Sequence, residues 1–290
     1  MDNLALSLIV FSALMHALWN LLVKQSRDKT VFIWWMFLSA FFLMSMFMFG
    51  SGFGLPVLSA RSLLLAAAAA VCFVLYHWFT GVAYREGDLS MTYPLAQTSM
   101  LYVPLWGVLL LGESLSLVGI LGILLIVMGA YCIQLRQLST SEMFRPFSQL
   151  GSRSVQAALL AGFIYSIGAI IDKTGVDSYS AYHFTYVLVC FMLCIMSFNL
   201  LRPCYRGRVL EEWRQSRKLV LWSGPVMLGS FLSFRFGLQL APVSYAVPVR
   251  QVSLLIGVMI GLLFLGESCG RIRLASSGLI LVGVVFVWHG

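Results

Sequence analysis

The sequence consists mainly of long apolar runs separated by short polar or charged breaks. Each run holds about twenty residues, the length that an α-helix needs to cross the hydrocarbon core of a bilayer. Continuous apolar runs differ from the short alternating segments of a membrane β-barrel, so the pattern predicts helices. Ten helices are predicted, at 3–23, 31–50, 61–84, 89–111, 116–135, 154–172, 180–201, 219–240, 242–265 and 273–289. The fold class is therefore predicted to be an all-α membrane protein with ten transmembrane helices.

Composition agrees with a lipid environment. Hydrophobic residues make up 60% of the 290 residues and charged residues only 10%, whereas a soluble domain has roughly 25% charged residues. The mean hydropathy is +0.91. The N-terminus, Met1-Asp2-Asn3, lacks the basic region of a signal peptide, so the first apolar run is expected to remain as a helix.

The basic residues are distributed unevenly between the two faces of the membrane. Of the 19 Lys and Arg residues, fifteen lie in alternate breaks at 24–30, 85–88, 136–153, 202–218 and 266–273. The opposite breaks contain only Arg61 and Lys173. Because basic loops stay in the cytoplasm, the chain is predicted to be a multi-pass protein of the cell inner membrane with both termini periplasmic. The net charge of +8 is then a topology signal, and no nucleic-acid partner is expected.

The chain repeats itself at an offset of 154 residues. The segment 94–97 (PLAQ) matches 248–251 (PVRQ), and 111–114 (LGES) matches an identical segment at 265–268. We therefore predict one five-helix repeat in residues 1–135, a cytoplasmic linker in 136–153 and a second repeat in 154–290. Because five is odd, the second copy enters the membrane from the opposite side. Inverted repeats of this kind are typical of secondary transporters that use alternating access.

The duplicated Pro-x-x-Gln helix ending in Leu-Gly-Glu, together with ten predicted helices, resembles the EamA family of the drug/metabolite transporter superfamily. The resemblance covers essentially the whole chain. It implies a fold with alternating access and a central cavity lined by both halves, and the members carry amino acids, sugars, nucleotide-linked sugars and other metabolites. The first helix, with 16–20 (HALWN) followed by Lys24, looks like a subgroup associated with phosphonate utilisation.

Arg250 is the leading candidate for a substrate contact. An ionisable side chain in hydrocarbon costs roughly 2.5–3.5 kcal/mol on insertion scales, so its presence raises a functional question. Arg250 lies near the middle of its predicted helix, two residues after Pro248, and the first repeat has Ala96 at the matching position. We interpret Arg250 as a contact for an anionic group of the substrate. A structural salt bridge or a clamp on backbone carbonyls is the alternative.

Other polar residues inside predicted helices are weaker candidates, and each has a structural alternative. The further candidate substrate contacts are Arg235, His77, Gln97, Gln251, His16 and Asn20. Pro94 and Pro248 are predicted to break their helices, because proline lacks the backbone donor and clashes with the preceding turn. Arg235 could instead extend to the membrane interface. The histidines and Asn20 could bind a neighbouring helix, and the glutamines could satisfy backbone groups that the prolines free.

No Asp or Glu lies in the middle of a predicted helix, and Asp172 is placed at an interfacial helix end. A guanidinium donates in a planar fork that suits carboxylate, phosphate or phosphonate. The pattern therefore favours an anionic or zwitterionic substrate. Any proton dependence is predicted to act through His77 or His16, because imidazole changes charge near neutral pH.

These observations predict an alternating-access transporter of a small organic anion or zwitterion, a phosphonate being one candidate. The six cysteines have no metal-ligand spacing, and the sequence has no phosphate-binding loop, nucleophile elbow or carboxylate pair. We therefore expect no cofactor, no metal and no enzyme. The alternatives are an exporter of neutral amino acids or metabolites, a membrane-embedded enzyme, and a membrane partner that does not transport. The expected partners are a small-molecule substrate and the lipid bilayer, and a homo-oligomer is compatible with the sequence.

Overall fold

The computed structural model describes residues 1–50, 59–86, 92, 95–133, 135, 137, 139, 143–144, 148–205, 207–264 and 270–290. Among these residues the regular structure is entirely helical, as predicted. The α-helices are α1 (Asn3–Gln25), α2 (Lys29–Gly50), α3 (Ala60–Glu86), α4 (Ser99–Leu111), α5 (Leu117–Cys132), α6 (Arg153–Ser178), α7 (Ala181–Leu200), α8 (Arg208–Leu240), α9 (Val243–Val249), α10 (Val252–Phe264) and α11 (Arg271–His289). A short 3₁₀ helix, Pro203–Tyr205, precedes α8.

Most of these helices are long and apolar enough to cross a membrane. Within the described ranges there are eight such spans, when α9 and α10 are counted together over 243–260. The apolar helices α4 and α5 are shorter, at 13 and 16 residues. The protein is therefore a multi-pass helical membrane protein. The count of ten crossings stays a prediction, since part of the predicted helix 89–111 lies outside the described residues.

The helices pack with a two-fold internal symmetry that exchanges the two halves of the chain. Helix α3 packs along α6, and correspondingly α8 packs along α1. Helix α2 contacts α8 just as α7 contacts α3, and α4 contacts α6 just as α10 contacts α1. The corresponding helices α5 and α11 contact each other, as do α2 and α7. The packing therefore relates α1, α2, α3, α4 and α5 of the first half, in that order, to α6, α7, α8, α10 and α11 of the second. Helices α9 and α10 together form the fourth span of the second half.

The contact between α5 and α11 shows that the two halves are inverted. A Cβ atom added at Gly122 would lie 2.6 Å from the carbonyl oxygen of Gly283, and one added at Gly129 would lie 2.7 Å from that of Ser276. The residue numbers rise along α5 as they fall along α11, so these helices are antiparallel. Small residues let the two backbones approach this closely. Because α5 and α11 are the fifth helices of their halves, the halves have opposite orientations in the membrane.

The structure corrects the predicted end of α6. The prediction ended this helix at Asp172, but it continues to Ser178. Lys173 lies inside the helix, where its Nζ donates to the carbonyl oxygen of Leu238 at 2.7 Å and to Asp177 at 2.9 Å. These partners allow the charged side chain to lie within the protein instead of at a helix end.

Helix α8 begins eleven residues before its predicted start at 219. Its first segment, 208–215, lies beside the α1–α2 connection, where Arg27 binds Glu211 at 2.7 Å. Ser216, with φ −114° and ψ 18°, separates this segment from the apolar remainder of the helix. Much of the predicted linker, 136–153, lies outside the described residues, so the proposed repeat boundaries stay a prediction.

Candidate functional site

Both halves contain an interrupted helix at the same place in the repeat. The first interruption is a turn at Gln97 and Thr98, directly before α4, and the second is a turn at Arg250 and Gln251, between α9 and α10. The amide of Met100 donates to the carbonyl of Gln97 at 3.1 Å, and the amide of Leu254 donates to the carbonyl of Gln251 at 2.9 Å. These residue pairs are related by the 154-residue offset. The predicted helix 242–265 is therefore two helices.

Proline helps to place the second interruption. Pro248 lies inside α9, two residues before the turn at Arg250, and it has no N–H to continue the helical ladder. The amide of Gln251 bonds the carbonyl of Pro248, three residues back, at 2.9 Å. The tighter turn ends the α-helix here. Pro94, the counterpart in the first half, lies outside the described residues.

The two interruptions meet at the centre of the molecule. Gln251 Nε2 donates a hydrogen bond to Gln97 Oε1 at 3.2 Å. A contact between equivalent residues lies on the symmetry axis that relates the halves. Interrupted helices that meet at the repeat interface form the substrate sites of many inverted-repeat transporters.

A cavity of about 620 Å³ surrounds these interruptions. Its volume lies within the range of small-molecule sites, roughly 300–1,000 Å³. The structure brings seven predicted substrate contacts to its wall. These residues are His16, Asn20, His77, Gln97, Arg235, Arg250 and Gln251. Pro248 is buried in α9 and is not part of the wall.

Arg250 is held at the cavity by α8. Its Nη2 donates to Ser230 Oγ at 3.2 Å, and its guanidinium lies 4.3 Å from the centre of the Phe234 ring. Ser230 is fixed in turn by reciprocal hydrogen bonds with Ser12 of α1. Among the described residues, the buried Nε of Arg250 has no hydrogen-bond partner. Arg250 therefore places a positive charge in the cavity wall, and a guanidinium suits carboxylate, phosphate or phosphonate groups.

Aromatic rings form much of the wall on both sides of Arg250. Trp19 of α1 packs near Phe231 of α8, with the ring centres 5.8 Å apart. On the opposite side, Tyr76 of α3 packs on Tyr165 of α6 at 5.1 Å. All four rings line the cavity. The site thus combines apolar ring faces with a few polar groups, as is usual for sites that hold small organic molecules.

Arg235 forms a buried ion pair that the sequence did not indicate. Its Nε donates to Asp172 Oδ1 at 2.9 Å, and the side chains are only 4% and 3% exposed. Asp172 therefore lies inside the protein, and its predicted position at the interface is wrong. The expectation that helices contain no internal carboxylate is wrong for the same reason, because α6 continues beyond residue 172. Extension of Arg235 to the interface is also excluded.

The cavity is closed at one end and accessible at the other. Asp172, Arg235 and Leu238, near the C-terminal ends of α6 and α8, are buried. Asn20 and Lys24, near the C-terminal end of α1, also line the cavity but are exposed. The accessible end is therefore the one at which the basic connection 24–30 leaves the membrane.

Glu113 stabilises the start of α9 across the repeat interface. Its carboxylate accepts hydrogen bonds from the amides of Val243 at 2.7 Å and Ser244 at 3.0 Å. A carboxylate at a helix N-terminus satisfies amides that the helix leaves free and opposes the helix dipole. Gly112, with φ +69°, makes the left-handed turn that ends α4 and directs Glu113 towards α9. The Leu-Gly-Glu motif thus positions an interrupted helix.

Sequence reasoning did not identify several wall residues. Asp172 was assigned to the interface, and Tyr76, Tyr165, Phe231 and Phe234 were not singled out. Nothing in the sequence indicated that α6 continues beyond Asp172, because the residues that follow Lys173, 174–180 (TGVDSYS), are mostly polar. The aromatic residues gave no signal, because aromatic side chains are frequent along the whole chain. Among the described residues, no group of three or more His, Cys, Asp or Glu side chains could hold a metal.

Comparison with known proteins identifies related sequences and folds. The model of the EamA-like transporter family matches residues 3–135 and again residues 152–288. A protein of known crystal structure superimposes with a TM-score of 0.75 over 99% of this chain and 96% of its own. The sequence identity is 13%, so this similarity shows the fold alone. The comparison with curated proteins gave no match.

Proposed function

Because the chain belongs to the EamA-like transporter family, we propose that it carries a small organic anion or zwitterion across the inner membrane by alternating access. A phosphonate is one candidate substrate. The inverted halves support this mechanism, since two copies of opposite orientation can exchange conformations and expose one cavity to either side. We propose a transport function and no enzymatic one.

We infer the substrate class from the charge of the cavity. The cationic residues of the wall are Lys24, Arg235, Arg250 and Arg273, and Asp172 is the one carboxylate among the described wall residues. The ion pair neutralises Arg235, whereas the Nε of Arg250 has no hydrogen-bond partner among the described residues. A net positive charge in a concave site attracts an anion. The seven predicted contacts around this charge are proposed to form the substrate site.

A binding screen tests the substrate class. Purified protein in detergent is mixed with organic anions, zwitterions and cations of matched size, and the melting temperature is measured. A ligand that binds the folded state raises the melting temperature. We expect anions or zwitterions to give a shift and the matched cations to give none. A shift with neutral amino acids alone would favour the alternative of a neutral-metabolite exporter with a structural Arg250.

The accessible end of the cavity is proposed to face the cytoplasm, and both termini the periplasm. This proposal rests on the distribution of basic residues between alternate connections. A C-terminal alkaline phosphatase fusion should be active, and a C-terminal fluorescent-protein fusion should be dark. The reverse pattern would invert the proposed topology and would make the structure outward-open.

A further inference from the structure

Asp172 is a buried carboxylate in the cavity wall. Substrate binding alone does not explain its presence there. Asp172 is 2% exposed, and it lies on α6 opposite Arg235 of α8. Removing an ion pair from water is costly, so a buried pair is weak evidence for stability on its own. Its position at the closed end of a proposed substrate cavity suggests that the pair takes part in transport.

The contact between the two side chains is incomplete. It uses one oxygen of Asp172 and the Nε of Arg235, at 2.9 Å, instead of the two parallel bonds of a fork-to-carboxylate pair. Arg235 Nη1 makes only a long contact of 3.5 Å to the carbonyl of Phe231. Arg235 therefore keeps donor capacity for another anion at the cavity.

Arg235 and Arg250 contact the same part of α8. They lie over neighbouring rings of α8, Arg235 at 5.0 Å from the centre of Phe231 and Arg250 at 4.3 Å from that of Phe234. Both arginines line the same cavity as Asp172. An anion in this cavity can therefore contact Arg235 as well as Arg250 and compete with Asp172.

We propose that Asp172 is the proton-binding site of this transporter, which takes up one proton when the substrate anion replaces it as the partner of Arg235. The proposal rests on the anion-transport function proposed above. A carboxylate left without a partner in a buried site is neutralised by a proton, because the isolated charge is far more costly there than in water. The proton passes from water to a carboxylate oxygen of Asp172, and no other bond changes. One anion and one proton then occupy the cavity together.

Few other groups near Asp172 can change or supply charge. On its own helix these are Lys173, Asp177 and Tyr165, and α8 contributes Arg235. Helix α3, which packs along α6, contributes Tyr76 and His77 to the cavity wall. Arg250, in the turn between α9 and α10, lines the same cavity. In the described part of the chain, α4, α7 and α9 contribute no charged side chain or histidine to the cavity wall.

Two histidines at the wall are the competing proton sites. His77 belongs to α3, which packs along α6, and His16 belongs to α1. Neither forms an ion pair within the described residues, and each becomes positive when it binds a proton. Asp172 instead becomes neutral and releases a guanidinium. Proton uptake at any of these residues favours an anion, so the variants described next are needed to distinguish them.

The experiment measures protons bound together with an anion whose own charge is fixed. Benzenesulfonate serves as the probe, since it stays ionised at neutral and mildly acidic pH. Its heat of binding to the purified protein is measured in two buffers that differ in ionisation enthalpy, and the difference gives the number of protons taken up. Linkage requires affinity to rise by up to about tenfold for each unit that the pH falls, where one proton is bound per anion.

We expect uptake of close to one proton in the unaltered protein. Asp172→Asn should bind the probe with no proton uptake and with an affinity that does not change with pH, because asparagine mimics the protonated carboxyl. Asp177→Asn is the matched control, since Asp177 lies on the same helix but is 44% exposed and pairs with Lys173. This control should keep the proton uptake and the pH dependence.

Three other results would overturn the proposal in distinguishable ways. Binding without proton uptake in the unaltered protein removes Asp172 as a proton site and leaves the anion function intact. Uptake that disappears in His77→Gln or His16→Gln, while Asp172 is unchanged, assigns the proton to a histidine. Absence of benzenesulfonate binding, together with absence of any anion from the melting screen, removes the anion-transport function itself. Should Asp172→Asn not fold, Asp172→Glu and the two histidine variants still make this distinction.

Discussion

The two interruptions lie at the same place in the repeat and differ in the chemistry that they bring to the cavity. Each turn includes the glutamine of its repeat, and these equivalent residues, Gln97 and Gln251, bind each other. The residue before the glutamine is Ala96 in the first half and Arg250 in the second. Ala96 is buried, whereas Arg250 lines the cavity.

The difference indicates how a duplicated fold acquires a specific site. The shared features, which are the interrupted helix, the glutamine and the small residues of α5 and α11, concern the backbone and its inversion. The features found in one half alone, Arg250 and the Asp172–Arg235 pair, supply the charge. We infer that symmetry builds the alternating scaffold and that departures from symmetry select the substrate.

Removal of Arg250 should have the largest effect on anion binding, because Arg250 is the charged residue that distinguishes the second interruption from the first. Arg250→Ala should weaken binding of an anion by about 30- to 100-fold, corresponding to roughly 2–3 kcal/mol for a contact with a charged group. Arg250→Lys keeps the charge but loses the planar fork, so about a tenfold loss is expected. Titration calorimetry measures both affinities.

Arg153→Ala is the matched control for Arg250, because the side chain of Arg153 is 79% exposed and makes only a 3.6 Å contact with Glu86. The Arg153→Ala variant should bind the anion with the affinity of the unaltered protein. Equal losses in the two alanine variants would show that Arg250 acts through general charge instead of direct contact.

A methyl group at Gly122 tests the part of the fold that the halves share. Its Cβ would meet the backbone oxygen of Gly283, which cannot move aside as a side chain can. We expect Gly122→Ala to reduce the free energy of unfolding by about 1–3 kcal/mol, as overpacking does. Thermal unfolding in detergent measures this change. Gly278→Ala, at a site with no atom within 4 Å of the added carbon, should be near neutral, and a similar loss there would contradict the explanation.

Glu113 stabilises the start of α9, the helix that precedes the second interruption. Glu113→Ala leaves the amides of Val243 and Ser244 without their acceptor, so we expect a loss of about 1–2 kcal/mol, in the range of a helix cap. The repeat counterpart, Glu267, lies outside the described residues. Glu86→Ala is the control, because Glu86 is partly exposed and pairs only with Arg153. An unchanged melting temperature in Glu113→Ala would mean that α9 does not depend on this cap.

The smallest effect is expected at the contact between the two interruptions. A double-mutant cycle with Gln97→Leu and Gln251→Leu should give a coupling energy of about 0.5–1.5 kcal/mol, the net value of a hydrogen bond. The cycle is measured from unfolding free energies. Strictly additive effects would show that the 3.2 Å contact contributes nothing to the stability of this conformation.

The sequence predicted the helical fold and much of the cavity wall, and it failed where a charge has a partner distant in the chain. Apolar runs locate most helices. Pro248 was predicted to break its helix, although 242–265 was predicted as one span and consists of α9 and α10. Seven polar candidates were recognised because polar residues are rare within these runs. Asp172 was misplaced because its partner, Arg235, is 63 residues away. The sequence alone does not show that two charges, each costly in lipid, are buried together.

Substrate exchange in proteoliposomes tests the central claim most directly, because it requires both an anion site and alternating access. Vesicles that contain the protein are loaded with unlabelled benzenesulfonate and placed in a trace of labelled benzenesulfonate. The account predicts transient accumulation of label inside, and none with Arg250→Ala or in vesicles without protein. Accumulation that is the same with Arg250→Ala as with the unaltered protein would contradict the role given to this arginine. Absence of accumulation for every anion that shifts the melting temperature would contradict transport.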